Sequence, residues 1–186
     1  MKIKGKATYV DTAGVRHEIK GIGSLSDDTT LQSLNVLGKV SFEKLSCDKV
    51  DVSGKCVGGS VQAKSFSVEG KPEIDSIAAD EIIVESQAGS IGEIKCNRLK
   101  IFNHMSAGGK AFFEKLFGGH DTEFDFDSRV RIKNIETDTV ELKNCEVGVI
   151  RCRDAFIGTN CAIEKLFVSG TCQVADDSTV GETIHE

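Results

Sequence analysis

Residues 49–71 read KVDVSGKCVGGSVQAKSFSVEGK, and within them Val50-Asp51-Val52-Ser53-Gly54 returns sixteen places later as Phe66-Ser67-Val68-Glu69-Gly70. An apolar residue two places before a turn former therefore marks a period, and a fixed period governs every later inference about the fold. Followed outwards, the marker falls at Ile3, Ile19, Val36, Val52, Val68, Val84, Ile101, Phe126, Leu142, Ile157 and Val174, in steps of 15 to 17 with one step of 25. Two places after these markers stand Gly5, Gly21, Gly38, Gly54 and Gly70, then Ser86, Asn103, Ser128, Asn144, Thr159 and Asp176. Such residues tolerate positive φ or bond their own backbone in turns, and they read as one corner of a repeated coil.

Two further apolar files keep the same spacing. One runs Leu45, Val61, Ile77, Ile94, Leu116, Ile135, Ile150 and Leu166; the other runs Phe42, Gly58, Ile74, Ile91, Phe113, Ile132, Val147 and Ile163. Between them lie Asp, Glu, Lys, Ser and Asn, so each coil is short alternating strand, tight corner, then strand again. A single coil cannot bury its apolar side alone and gains a core only by stacking on its neighbours. The expected fold is all-β: a single-domain parallel β-solenoid with about 16 residues per coil. Within one domain, 1–186, the reading divides N-terminal coils (1–33), regular coils (34–102), loop insertions in one coil (103–123) and C-terminal coils (124–186). Eleven markers at the usual inter-strand spacing predict a rod on the order of 50 Å long.

Composition agrees. One Pro, no Trp and 19 Gly among 186 residues suit strands parted by tight corners. The net charge of −6, with acids and bases interspersed, disfavours nucleic acid, which needs a basic stripe. No run approaches membrane-spanning length, and a rung that starts at Met1 to Ile3 predicts no signal peptide; a cytoplasmic protein is expected. Of the seven cysteines, Cys47, Cys96 and Cys152 share a file with Ala63, Ala79 and Thr137. Small inward residues stacked rung on rung predict packing rather than disulfides, so Cys47 and Cys56 are not expected to pair.

The step of 25 holds the stretch NHMSAGGKAFFEKLFGGHDTEFDFD, from Asn103 to Asp127. Phe113-Glu-Lys-Leu116 there matches Phe42-Glu-Lys-Leu45 and Ile163-Glu-Lys-Leu166, which predicts that a coil survives with its extra residues in two loops. The Phe residues fill a locally wider core, or Phe112 and Phe117 present an outward apolar patch to a partner or membrane surface. His104 and His120 lie in the same loops beside Asp121 and Glu123, residue types that bind divalent metals. No tight spacing fixes them, and neither a metal nor a cofactor is expected. GxSxG, GxxxxGK[ST] and HExxH are all missing, so no catalytic residues are assigned.

The phrases Leu34-Asn-Val36-Leu-Gly38-Lys, Val50-Asp-Val52-Ser-Gly54-Lys and Phe66-Ser-Val68-Glu-Gly70-Lys, each followed by an apolar-x-small step such as Leu45-Ser-Cys47, resemble the bactofilins and bactofilin-like polymer-forming cytoskeletal proteins. The likeness covers residues 17–101 and, more loosely, 130–174; the Phe-rich insertion departs from it. It implies a right-handed β-helix in the cytoplasm that polymerises without nucleotide, coil end on coil end, into non-polar filaments scaffolding other proteins. Ile3, Ile19, Val174 and Val180 are then the expected self-association residues. His104, Phe112, Phe117 and His120 are the expected partner-binding residues, toward other proteins or membrane-associated factors. Two other readings compete. A left-handed hexapeptide acyltransferase would use the steps of five or six from Ile157 through Ile163, Val168 and Val174 to Val180, but it wants coils of 18, and its catalytic histidine has no equivalent among the scattered His17, His104, His120 and His185. A non-polymerising adaptor would bind through the 103–123 loops.

Overall fold

The computed structural model describes residues 16–25, 29–86, 88–102 and 129–186. These form one sheet of parallel strands: β1 (Arg16–Ser24), β2 (Thr29–Glu85), β3 (Gly89–Phe102), β4 (Val130–Leu142), β5 (Cys145–Ile157), β6 (Ala162–Val168), β7 (Cys172–Val174) and β8 (Thr179–His185). No helix occurs among the described residues. The strands wind into a β-solenoid of about 8 turns. β2 is 57 residues long because it turns corners without losing its ladder, and so makes several coils by itself.

The expected files are the ones that stack. Ile19 lies against Val36, Val84 against Ile101, Leu142 against Ile157, and Ile157 against Val174. Ile77, Ile94, Ile135, Ile150 and Leu166 form the second file and Ile74, Ile91, Ile132, Val147 and Ile163 the third. All ten of these file residues are buried, none more than 4% exposed, while the residues flanking them on the strand face solvent. This is the period-2 alternation of a pleated strand, bent at each corner so that one side closes on itself. Gly58 keeps its place in the third file because a Cβ there would overlap the ring of Phe42 in the rung beneath. The glycine corner has a sharper cause. Gly54 has φ +132, and a Cβ on it would collide with the carbonyl oxygen of Gly38, as one on Gly70 would with that of Gly54.

In the C-terminal coils asparagine replaces glycine at the corner. Asn144 and Asn160 take φ of 57 and 56, the left-handed region that Asn tolerates best among residues with a side chain. Asn160, not Thr159, holds the corner expected at 159. The Asn160 amide donates to Asn144 Oδ1 at 2.5 Å and accepts from Arg129 Nη2 at 2.8 Å, so the two corners bond to each other.

The strands on either side of residues 103–128 pair with each other. Ile91 pairs directly with Ile132, Ile94 with Ile135 and Ile101 with Leu142, a step of 41. Side chains meet across the same junction: Lys95 reaches Glu136 at 3.0 Å and Cys96 Sγ reaches Thr137 Oγ1 at 3.4 Å. Phe113, Leu116 and Phe126, expected in a coil of their own, lie outside the described residues. Removing the 26 residues 103–128 from the step of 41 leaves 15, the same step that relates Val130 to Cys145. Nine of the eleven markers belong to the described stack.

Candidate interaction surface

Most of the rod's outside is a lattice of charges that satisfy one another between rungs. Lys64 meets Asp48 at 2.9 Å, Arg98 meets Glu81 at 3.2 Å, Lys100 meets Glu141 at 3.0 Å and Arg131 meets Glu146 at 3.3 Å. Such exposed pairs contribute little individually, but they leave a surface balanced in charge. A shallow open groove along one face is floored by Ser46, Ser60, Gln62, Ser76 and Ala78 and edged by Lys44, Glu93, Lys95 and Arg151, again of mixed sign.

The far end differs. β8 pairs with β6 alone and β7 with β5 alone, so among the described residues each has a neighbour on one side only. The first file shows the effect in numbers: Ile157 is 2% exposed, whereas Val174, stacked on it in the last coil, is 41% exposed. Val180 likewise loses the cover that holds Ile163 at 4% and becomes half-buried. Val174 and Val180 lie on β7 and β8, the last strands of the described stack. Ile19 does not join an open face; it is fully buried on Val36, where it serves the core. Ile3, His104, Phe112, Phe117 and His120 lie outside the described residues, as do Asp121 and Glu123. The terminal coil also gathers acids. Lys165 meets Glu182 at 3.1 Å and Arg151 meets Glu186 at 3.6 Å, while Asp176 and Asp177 are exposed on the turn between β7 and β8.

All seven thiols are free, and Cys47, Cys56, Cys96, Cys145 and Cys161 are buried. Desolvation pushes the Cys56 thiol up to about 12 and those of Cys47 and Cys152 up to about 11. Cys145 and Cys161 interact with each other. Each thiol donates to a backbone carbonyl, Cys145 to Lys143 at 3.2 Å and Cys161 to Thr159 at 3.6 Å, and their interaction with each other raises Cys145 above the usual thiol value and lowers Cys161.

A pH dependence follows. In the unfolded chain a thiol ionises near 9.0, but folded Cys56 keeps its proton until about 12. Its contribution to stability is therefore whole below about pH 9 and is lost as pH rises toward 12; at about pH 11 the loss from Cys56 alone is about 2–3 kcal/mol. Urea midpoints measured from neutral to alkaline pH are expected to fall across this window, less steeply in Cys56→Ala. Parallel slopes in the two proteins would contradict the assignment.

No family model, curated protein or solved structure matches this chain.

Proposed function

We propose that this chain is a non-catalytic scaffold of bactofilin type that assembles with copies of itself through the ends of its coil. One observation carries the reading: the file that is sealed at Ile157 opens at Val174, on a coil whose strands are paired on one side only. An edge of that kind presents unpaired N–H and C=O groups around an apolar cross-section, and it pairs with another edge unless something covers it. Every strand already docks on its neighbour in this way, so a further copy extends a ladder of known geometry. The balanced charge lattice along the sides gives lateral association no comparable drive. On this reading the cytoplasmic rod is a polymer subunit that holds other proteins in place.

Sedimentation velocity on the full chain tests it. The protein is expected to run as large species that grow with concentration, and Val174→Asp combined with Val180→Asp to run as a single rod, because a carboxylate on the end face would be desolvated without a partner. A wild-type chain that stays monomeric at tens of micromolar would overturn the proposal; a variant that still assembles would assign the contacts to the sides.

A further inference from the structure

Among the seven free thiols, the strand register brings one pair into a single file. Cys145 and Cys161 stand immediately before Glu146 and Ala162, which are parallel partners on β5 and β6, and one residue earlier the Asn144 and Asn160 side chains bond each other. The file runs Val130, Cys145, Cys161, Ser178, since Val130 pairs with Cys145 and Ala162 with Thr179. Partners on adjacent strands hold their Cα atoms about 4.8 Å apart, inside the roughly 4.4–6.8 Å that a disulfide spans. The half-buried pair Cys152 and Cys172 is out of register, because Cys152 lies against Val168 and Cys172 against Ala155. Within the file the two thiols are not equivalent. Cys145 is fully buried, with Val130 and Cys161 on either side of it. Cys161 has the terminal coil on its outer side, where the Ser178 hydroxyl accepts from the Cys161 backbone N–H at 2.9 Å and donates to the Gly158 carbonyl at 2.6 Å. Ser178 is half-buried, and β8 beside it is paired with β6 alone among the described residues. End elements open locally at lower free energy than the middle of a fold, so Cys161 is uncovered first. The neighbouring Cys145 and the Ser178 hydroxyl also hold Cys161 below the usual thiol value, so more of it is thiolate, whereas Cys161 and burial hold Cys145 above that value.

We propose that Cys145 and Cys161 form a peroxide-sensitive modification site, which closes an intrachain disulfide between the coils of β5 and β6. The Cys161 thiolate attacks one oxygen of hydrogen peroxide and breaks the O–O bond, leaving a sulfenic acid and a hydroxide that takes up a proton to become water. The Cys145 thiol, giving up its proton, then attacks the Cys161 sulfur; the S–O bond breaks and a second water leaves. Two thiols are thereby oxidised by two electrons and one peroxide is reduced to two waters. Cys161 is the attacking residue because it is the more accessible and the more acidic of the two, and Cys145 resolves because the register places it alongside. The chemistry needs no second copy of the chain.

Peptide mapping of dilute full-length protein treated with equimolar hydrogen peroxide tests the site. Trypsin releases Cys145 in residues 144–151 and Cys161 in residues 154–165, each apart from every other cysteine. The two peptides are expected joined, lighter than their sum by two hydrogens and separable by dithiothreitol, from a chain that keeps its monomer mass. Cys145→Ala is expected to abolish the link and to leave on Cys161 a sulfenic acid that dimedone traps. In Cys161→Ala, oxidation at Cys145 is expected to slow at least about tenfold. The wild-type map decides the matter even where a variant folds poorly. Wild-type protein without the link, a link between Cys152 and Cys172 in its place, or dimedone bound at a cysteine other than Cys161 in Cys145→Ala would overturn the proposal.

Discussion

Gly54→Val is expected to destabilise the protein by about 4 kcal/mol or more, enough to unfold the central coils, and to be the most damaging single change along the rod. Two costs coincide. At φ +132 a β-branched residue is strained whatever space surrounds it, at roughly 1–3 kcal/mol. The added Cβ also falls on the carbonyl oxygen of Gly38, a backbone atom fixed by its own ladder, so relief requires two coils to separate. Stability in a solenoid is the sum of coil and interface terms, and losing one interface splits the stack. A urea titration followed by circular dichroism should show a large fall in midpoint. Gln62→Ala, at an exposed position of the next coil, should stay within about 0.5 kcal/mol of wild type. A Gly54→Val protein as stable as wild type would mean that the glycine corner does not stack as described.

Phe66→Ala carries the second largest effect, a loss of about 3–5 kcal/mol. Phe66 is fully buried in a file with Val50 and Ile82, each 0% exposed, and it is the largest side chain in the sealed core. Its neighbours are held at the rung spacing by backbone hydrogen bonds and cannot collapse into the space vacated, which places the substitution at the upper part of the range for cavity formation. The same titration checks it. Lys64→Ala, two residues away and mostly exposed in its pair with Asp48, removes only a surface contact and should cost less than about 1 kcal/mol. Equal effects from the two substitutions would deny Phe66 its inward position.

These two sites also show what was legible in the sequence. The inward files could be read because a coil of nearly constant length returns chemically like residues to like places, and the corner glycines because stacking makes their requirement repeat at Gly38, Gly54 and Gly70. The direct pairing of β3 with β4 could not be read in the same way. Phe113-Glu-Lys-Leu116 has the composition of a rung but lies outside the described residues, while Ile91 pairs directly with Ile132 and Ile101 with Leu142. Asn160 was missed in favour of Thr159 because a coil can lengthen by one residue at a corner, so marker spacing fixes the strand but not the turn. Ile19 was expected at an end from its place in the chain; its complete burial depends on cover that position alone does not reveal. The place of Val174 in the first file was legible, since it follows Ile157 at the file's own spacing. The acids beside it were not, because Asp176 reads as a corner residue and Asp177, Glu182 and Glu186 as ordinary solvated residues until β7 and β8 place them on one coil.

X-ray diffraction from oriented assemblies of the full chain tests the account most directly. Rods stacked end on end must carry the inter-strand spacing of about 4.8 Å along the filament axis, on the meridian, uninterrupted across junctions between copies. That reflection on the equator, or a protein that yields only separate rods of about eight turns, would contradict it.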